Sequence, residues 1–191
     1  MSVVNPIGTG PADCSQLTEI RHAKLSFAHG KNGLQFFYVG KIKSKPGNDI
    51  NSYIRDITSH SAELKGDPCK GGTGVGVIDR SPLDLNSAGP CYFVLELDDQ
   101  HNWQFQHDHD AVSTKSDYSK SYAELHHIRP GSGAGPGEGC KLIYFAAIDP
   151  PSGKKPGMHP FNFHVEFLQD GGKRLPIIID PDIRYPGGNA P

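Results

Sequence analysis

The densest run of ligand-type side chains in the chain is His107-Asp108-His109-Asp110. In an extended chain successive side chains point to opposite sides, so His107 and His109 would share one face and the two aspartates the other. Two imidazoles spaced i, i+2 on a strand can hold a divalent transition metal if a third ligand comes from elsewhere. The third ligand could be His164 or Glu166 on a later strand, or come from His126 and His127, and His164 is the first choice. The simpler alternative is a polar strand end with solvated charges. His164 and Glu166 could also work as an acid–base pair, but only with a partner across a cleft; otherwise they are two outward-facing sheet residues.

A His-x-His strand combined with a later histidine resembles the cupins in outline, and that resemblance implies a metal-dependent β-barrel enzyme using His107 and His109. Other catalytic signatures are missing. There is no nucleophile elbow and no His-Glu-x-x-His. The glycine-rich stretch 66–76, GDPCKGGTGVG, matches neither phosphate-loop pattern and reads as a connector into a strand at Val75–Ile78.

The elements that must position these residues are mostly strands. In HPFNFHVEFLQDGGKRLPIIIDPDI, Phe161, Phe163, Val165 and Phe167 alternate with Asn162, His164 and Glu166. That period of two predicts a half-buried strand, which turns at Asp170-Gly171-Gly172 into a partner strand at 175–179. Four bulky apolar groups on one face demand a second layer. Further strands are expected at 19–29, 34–43, 91–97, 103–107, 122–128 and 142–148. Residues 34–43 look doubly buried in the middle, and 114–121 look polar and exposed. One helix is predicted to begin near residue 50, capped by Asp49 or Asn51, with Ile50, Tyr53, Ile54 and Ile57 on one face. Lys41, Lys43 and Lys45 alternate and read as a solvated strand face. The aromatic residues are mainly core, but Trp103 and Phe105, with His164 and Glu166, could line a ligand pocket.

The fold class expected is all-β: an antiparallel β-sandwich or a closed β-barrel of about eight to ten strands, with at most one or two short helices. Twenty-three glycines and sixteen prolines punctuate the short apolar runs in the way such folds require. The expected organisation is a flexible arm at 1–16, one β-domain at 17–185 and a frayed tail at 186–191. The formal net charge of −2 gives no basic stripe for nucleic acid. No apolar run is long enough to span a bilayer, and no signal peptide precedes the domain, which points to the cytoplasm. Four widely spaced cysteines, with no Cys-x-x-Cys, read as thiols. The function expected on these grounds is a soluble, non-enzymatic β-domain that binds a small molecule or itself as a homo-oligomer, with no cofactor. The alternative is the cupin-like metal enzyme, for which a divalent transition metal is the one cofactor the residues could hold.

Overall fold

A computed structural model of the chain describes residues 4–6, 14–31, 33–39, 43–60, 85–86, 89–106, 111–115, 122–128, 139–148, 158–180 and 182–184. In chain order its elements are β1 (Val4–Pro6), β2 (Glu19–Gly30), β3 (Gly33–Tyr38), β4 (Lys43–Pro46), α1 (Ile50–His60), β5 (Leu85–Asn86), β6 (Cys91–Leu97), β7 (Trp103–Phe105), β8 (Val112–Lys115), β9 (Tyr122–Ile128), β10 (Leu142–Ala147), β11 (Met158–Leu168), β12 (Arg174–Ile179) and β13 (Asp182–Arg184). The protein is all-β with a single α-helix among the described residues. Its strands form two packed sheets rather than a closed barrel. No helix among the described residues is long and apolar enough to cross a membrane.

β11 is the spine of the seven-stranded sheet. Along one edge it pairs β8 through Phe161–Phe163 and β7 through Val165–Phe167; β12 and β13 also pair with it, all antiparallel. The alternation read from the sequence is obeyed. Phe161, Phe163 and Val165 are wholly buried in the core between the sheets, against Phe93, Leu95, Ile143 and Phe145 of the other layer. The six-stranded sheet runs β3-β2-β6-β10-β9, with β4 alongside β2. β6 lies at its centre, parallel to β2 and antiparallel to β10, and Cys91–Leu95 are buried without a break. A strand covered on both faces needs apolar residues on both, which is why CYFVLEL does not alternate.

α1 lies on the outer face of the six-stranded sheet. Asp49 caps it by accepting the Ser52 N–H at 3.0 Å. Ile50 and Ile54 are buried in a second cluster with Leu17, Ile20, Tyr92, Val94, Tyr144 and Ala146. Within α1, Thr58 and Ser59 turn their hydroxyls back onto the carbonyls of Ile54 and Asp56, a competition with the ladder.

Three expectations are corrected. Residues 4–6 form β1, paired with β8, although Pro6 suggested no regular element there. An edge position explains it, since proline lacks only a donor. β3 is also an edge strand, paired with β2 alone, so Leu34 is exposed and Phe36, Phe37 and Tyr38 are only half-buried. Thr114 is wholly buried rather than exposed, because β8 is clamped between β1 and β11.

Candidate active site on the outer faces of two sheets

Alternation along β11 turns Asn162, His164 and Glu166 away from the core between the sheets, yet all three are buried, with 4%, 8% and 7% of their surfaces exposed. Their neighbours on the flanking strands are polar and buried as well: Ser113 on β8, opposite Asn162, and Gln104 on β7, opposite Glu166. Burying a polar group costs free energy unless it is hydrogen-bonded, and Ser113, His164, Gln104 and Glu166 are bonded within the row. Ser113 Oγ lies 2.6 Å from His164 Nε2. The Gln104 amide donates to Glu166 Oε1 at 3.4 Å and accepts the Gly139 N–H at 2.6 Å. Arg174, from β12, reaches the same Glu166 oxygen at 3.5 Å. The row therefore offers a hydroxyl–imidazole pair beside a carboxylate–guanidinium pair, both held on strand backbones.

Trp103 and Phe105 share the sheet with this row but face the other way, wholly buried in the core. Trp103 stacks on Phe167 at 5.8 Å and meets Phe27 edge-on at 5.0 Å, and its Nε1–H is committed to Asp98. The strand thus brings His164 and Glu166 together and holds Trp103 and Phe105 on the opposite side, so the four do not line one pocket. His107 and His109 lie outside the described residues. Among the described residues, no three His, Cys, Asp or Glu side chains converge as metal ligands would.

Sequence reasoning missed Ser113, Gln104 and Arg174. Each stands on a strand of three to six residues, too short for alternation to show which way it points. It also missed a constellation on the outer face of the six-stranded sheet. There His22 is nearly buried, its Nε2 3.1 Å from Glu96 Oε2 and its Nδ1 3.1 Å from the Tyr53 hydroxyl on α1. Lys24 donates to the other Glu96 oxygen at 2.8 Å. Burial alone would raise the Glu96 carboxyl; the hydrogen bonds and charges of His22 and Lys24 outweigh it and lower the pKa to about 2. An ionised carboxylate only accepts, so Nε2 carries the proton and, in the neutral ring, Nδ1 accepts from Tyr53. Burial, and then the charge of Glu96, push the Tyr53 hydroxyl upward, so it stays protonated. The one available signal was Glu96 itself, the single charge inside the apolar run of β6.

Further along the same face, a register shift between β10 and β9 forms a bulge in which Glu124 takes a left-handed backbone, φ 58°. Leu125 remains in the core, while Glu124 accepts the Tyr92 hydroxyl at 2.8 Å. His126, stacked on Tyr144 at 4.7 Å, lies beside it. A bulge re-aims side chains in this way.

No curated protein matches the chain. A family model described as "Predicted novel nucleotide synthetase" matches residues 38–188. This overturns the expectation of a non-enzymatic domain for ligand binding or self-association, which rested on the missing catalytic motifs. Those motifs describe other folds, and residues spread over four strands leave no local signature. The matched stretch holds every residue of the Ser113–His164–Glu166 row and well over half of the chain, and the chain belongs to this family of predicted nucleotide synthetases.

Proposed function

We propose that the protein is an enzyme of nucleotide synthesis whose reaction takes place at the outer face of β11, with His164 as the proton acceptor. The observation that carries this reading is the buried Ser113–His164 contact at 2.6 Å, next to Glu166 and Arg174, in a row that faces away from the core. A stably folded sheet has no need of five buried polar side chains on an outer face. Apolar residues would cover it at lower cost. A hydroxyl within hydrogen-bond reach of an imidazole is the arrangement that proton transfer requires. Arg174 supplies a charge suited to phosphate oxygens. Gln104 and Glu166 orient it.

The test is to incubate the purified protein with the four ribonucleoside triphosphates and magnesium and to follow the phosphorus spectrum. Wild type is expected to consume triphosphate and produce a new phosphorus signal. Ser113→Ala is expected to slow this by about 100-fold or more, with unchanged thermal unfolding. A wild-type protein that leaves all four triphosphates intact would overturn the reading.

A second reading, a divalent metal ion held by His164 with His107 and His109, has one observation behind it. Gln106, just before these residues, donates its N–H to the His164 carbonyl at 3.0 Å, and Val112, shortly after them, pairs with Phe163. Both ends of the segment that carries His107 and His109 therefore flank His164. Metal analysis of wild type and of His107→Ala/His109→Ala tests it; equal metal content in the two would remove it.

A further inference from the structure

The lysines of β4 stand on the same face as the Glu96–His22–Tyr53 chain. Lys45 pairs across the ladder with Ile20, and Lys43 with His22. Cross-strand partners project to the same side, so both lysines lie on the outer face of the six-stranded sheet, beside α1. The Lys45 ammonium sits 5.3 Å over the Tyr53 ring. An exposed lysine normally disperses over many rotamers. This one rests on a ring that is itself held, because the Tyr53 hydroxyl bonds His22 and His22 bonds Glu96. Glu96, held ionised, is occupied by His22 and Lys24. Among the described residues, neither Lys43 nor Lys45 has a carboxylate in ion-pair reach. Glu19 on β2 alternates to the other face, where it meets Arg21 and Ser44. The result is a corner with three lysines and one carboxylate, two of the lysines in search of an anion and one of those two pre-positioned.

From this we infer that the corner formed by β4, β2 and α1 is an anion seat for the phosphate chain of a nucleoside polyphosphate, with Lys43 and Lys45 as its ligands and Lys24 at its rim. The seat is separate from the His164 row, which lies on the other sheet. That an anion binds follows from the geometry, and the choice of a phosphate chain rests on the reading that the protein handles nucleotides. Two ammonium groups anchored two residues apart on one strand face are separated by roughly 6.5 Å, a distance that a chain of phosphates can bridge and a single carboxylate or chloride cannot, and lysines supply charge without base readout.

The probe is inorganic triphosphate, titrated calorimetrically into the full chain at low and moderate salt. Wild type is expected to bind, and to bind more weakly as salt rises. Lys43→Glu/Lys45→Glu is expected to weaken binding at least tenfold, and Tyr53→Leu, which removes the ring under Lys45, several-fold. The charge-matched control Lys31→Glu/Lys173→Glu, on exposed turns, is expected to leave binding unchanged. Because the readout is the lysine-dependent binding of triphosphate and not turnover, this test stays distinct from that of the catalytic row. ATP should displace the triphosphate and adenosine should not. Absence of binding, or an equal effect of the control and the Lys43/Lys45 reversal, would overturn the inference. Much tighter lysine-dependent binding of a single-stranded oligonucleotide than of ATP would overturn the choice of ligand.

Discussion

Glu96 shows how one side chain can tie sequence to stability. Its carboxyl has a pKa of about 2 when folded and an ordinary value near 4.5 when not. The folded value is the lower, so the stabilisation is fully present above about pH 4.5 and is lost as pH falls toward 2. With its partial exposure taken into account, the contribution is on the order of 1–2 kcal/mol. Denaturant unfolding at pH 6 and pH 3 should therefore show wild type losing more stability than Glu96→Gln over the same interval. Equal losses would mean that the His22 and Lys24 bonds to Glu96 do not form in solution. The residue-scale reading of β11 was legible because seven alternating residues, Phe161 to Phe167, reveal a face. Polarity alone did not reveal that the polar face would be buried, because burial there depends on what the flanking strands contribute, and Ser113 and Gln104 sit on strands too short to read.

Among the elements, α1 was readable from the sequence. Its apolar residues recur at helical spacing and Asp49 stands at the cap. Asp49→Ala should cost about 1 kcal/mol in thermal or denaturant unfolding, since the Ser52 N–H would lose its acceptor. The bulge in β9 was not readable, because YAELHHI fits an unbroken strand. The left-handed backbone at Glu124 is disfavoured for any side chain and most of all for a β-branched one. Glu124→Val should therefore destabilise by roughly 1–3 kcal/mol more than Glu124→Gly, although both lose the Tyr92 bond. If the two variants unfold alike, the bulge has moved. The lysines of β4 read correctly as an exposed strand face, but their relation to Tyr53 needed the helix to be docked.

For the whole molecule, two sheets closed over one aromatic core follow from the alternation in β11 and the unbroken apolar run of β6. The choice of sandwich over barrel did not, since both bury the same faces and differ only in whether the edge strands meet. Phe163, wholly buried at the centre of that core, should cost about 3–5 kcal/mol when replaced by alanine, measured by denaturant unfolding. Function was the least legible level. The residues that compose the row come from β7, β8, β11 and β12, and no motif spans them. The family match supplied the class of activity proposed, and the fold showed where in the matched stretch the buried Ser113–His164 contact stands.

The most direct test of that assignment is the rate at which His164→Gln converts nucleoside triphosphate, measured beside wild type with thermal unfolding as the folding control. The glutamine keeps a polar group near Ser113 but cannot take up a proton. The expected result is a fall of about 100-fold or more in rate with the unfolding midpoint nearly unchanged. A variant that folds normally and turns over at the wild-type rate would contradict the account.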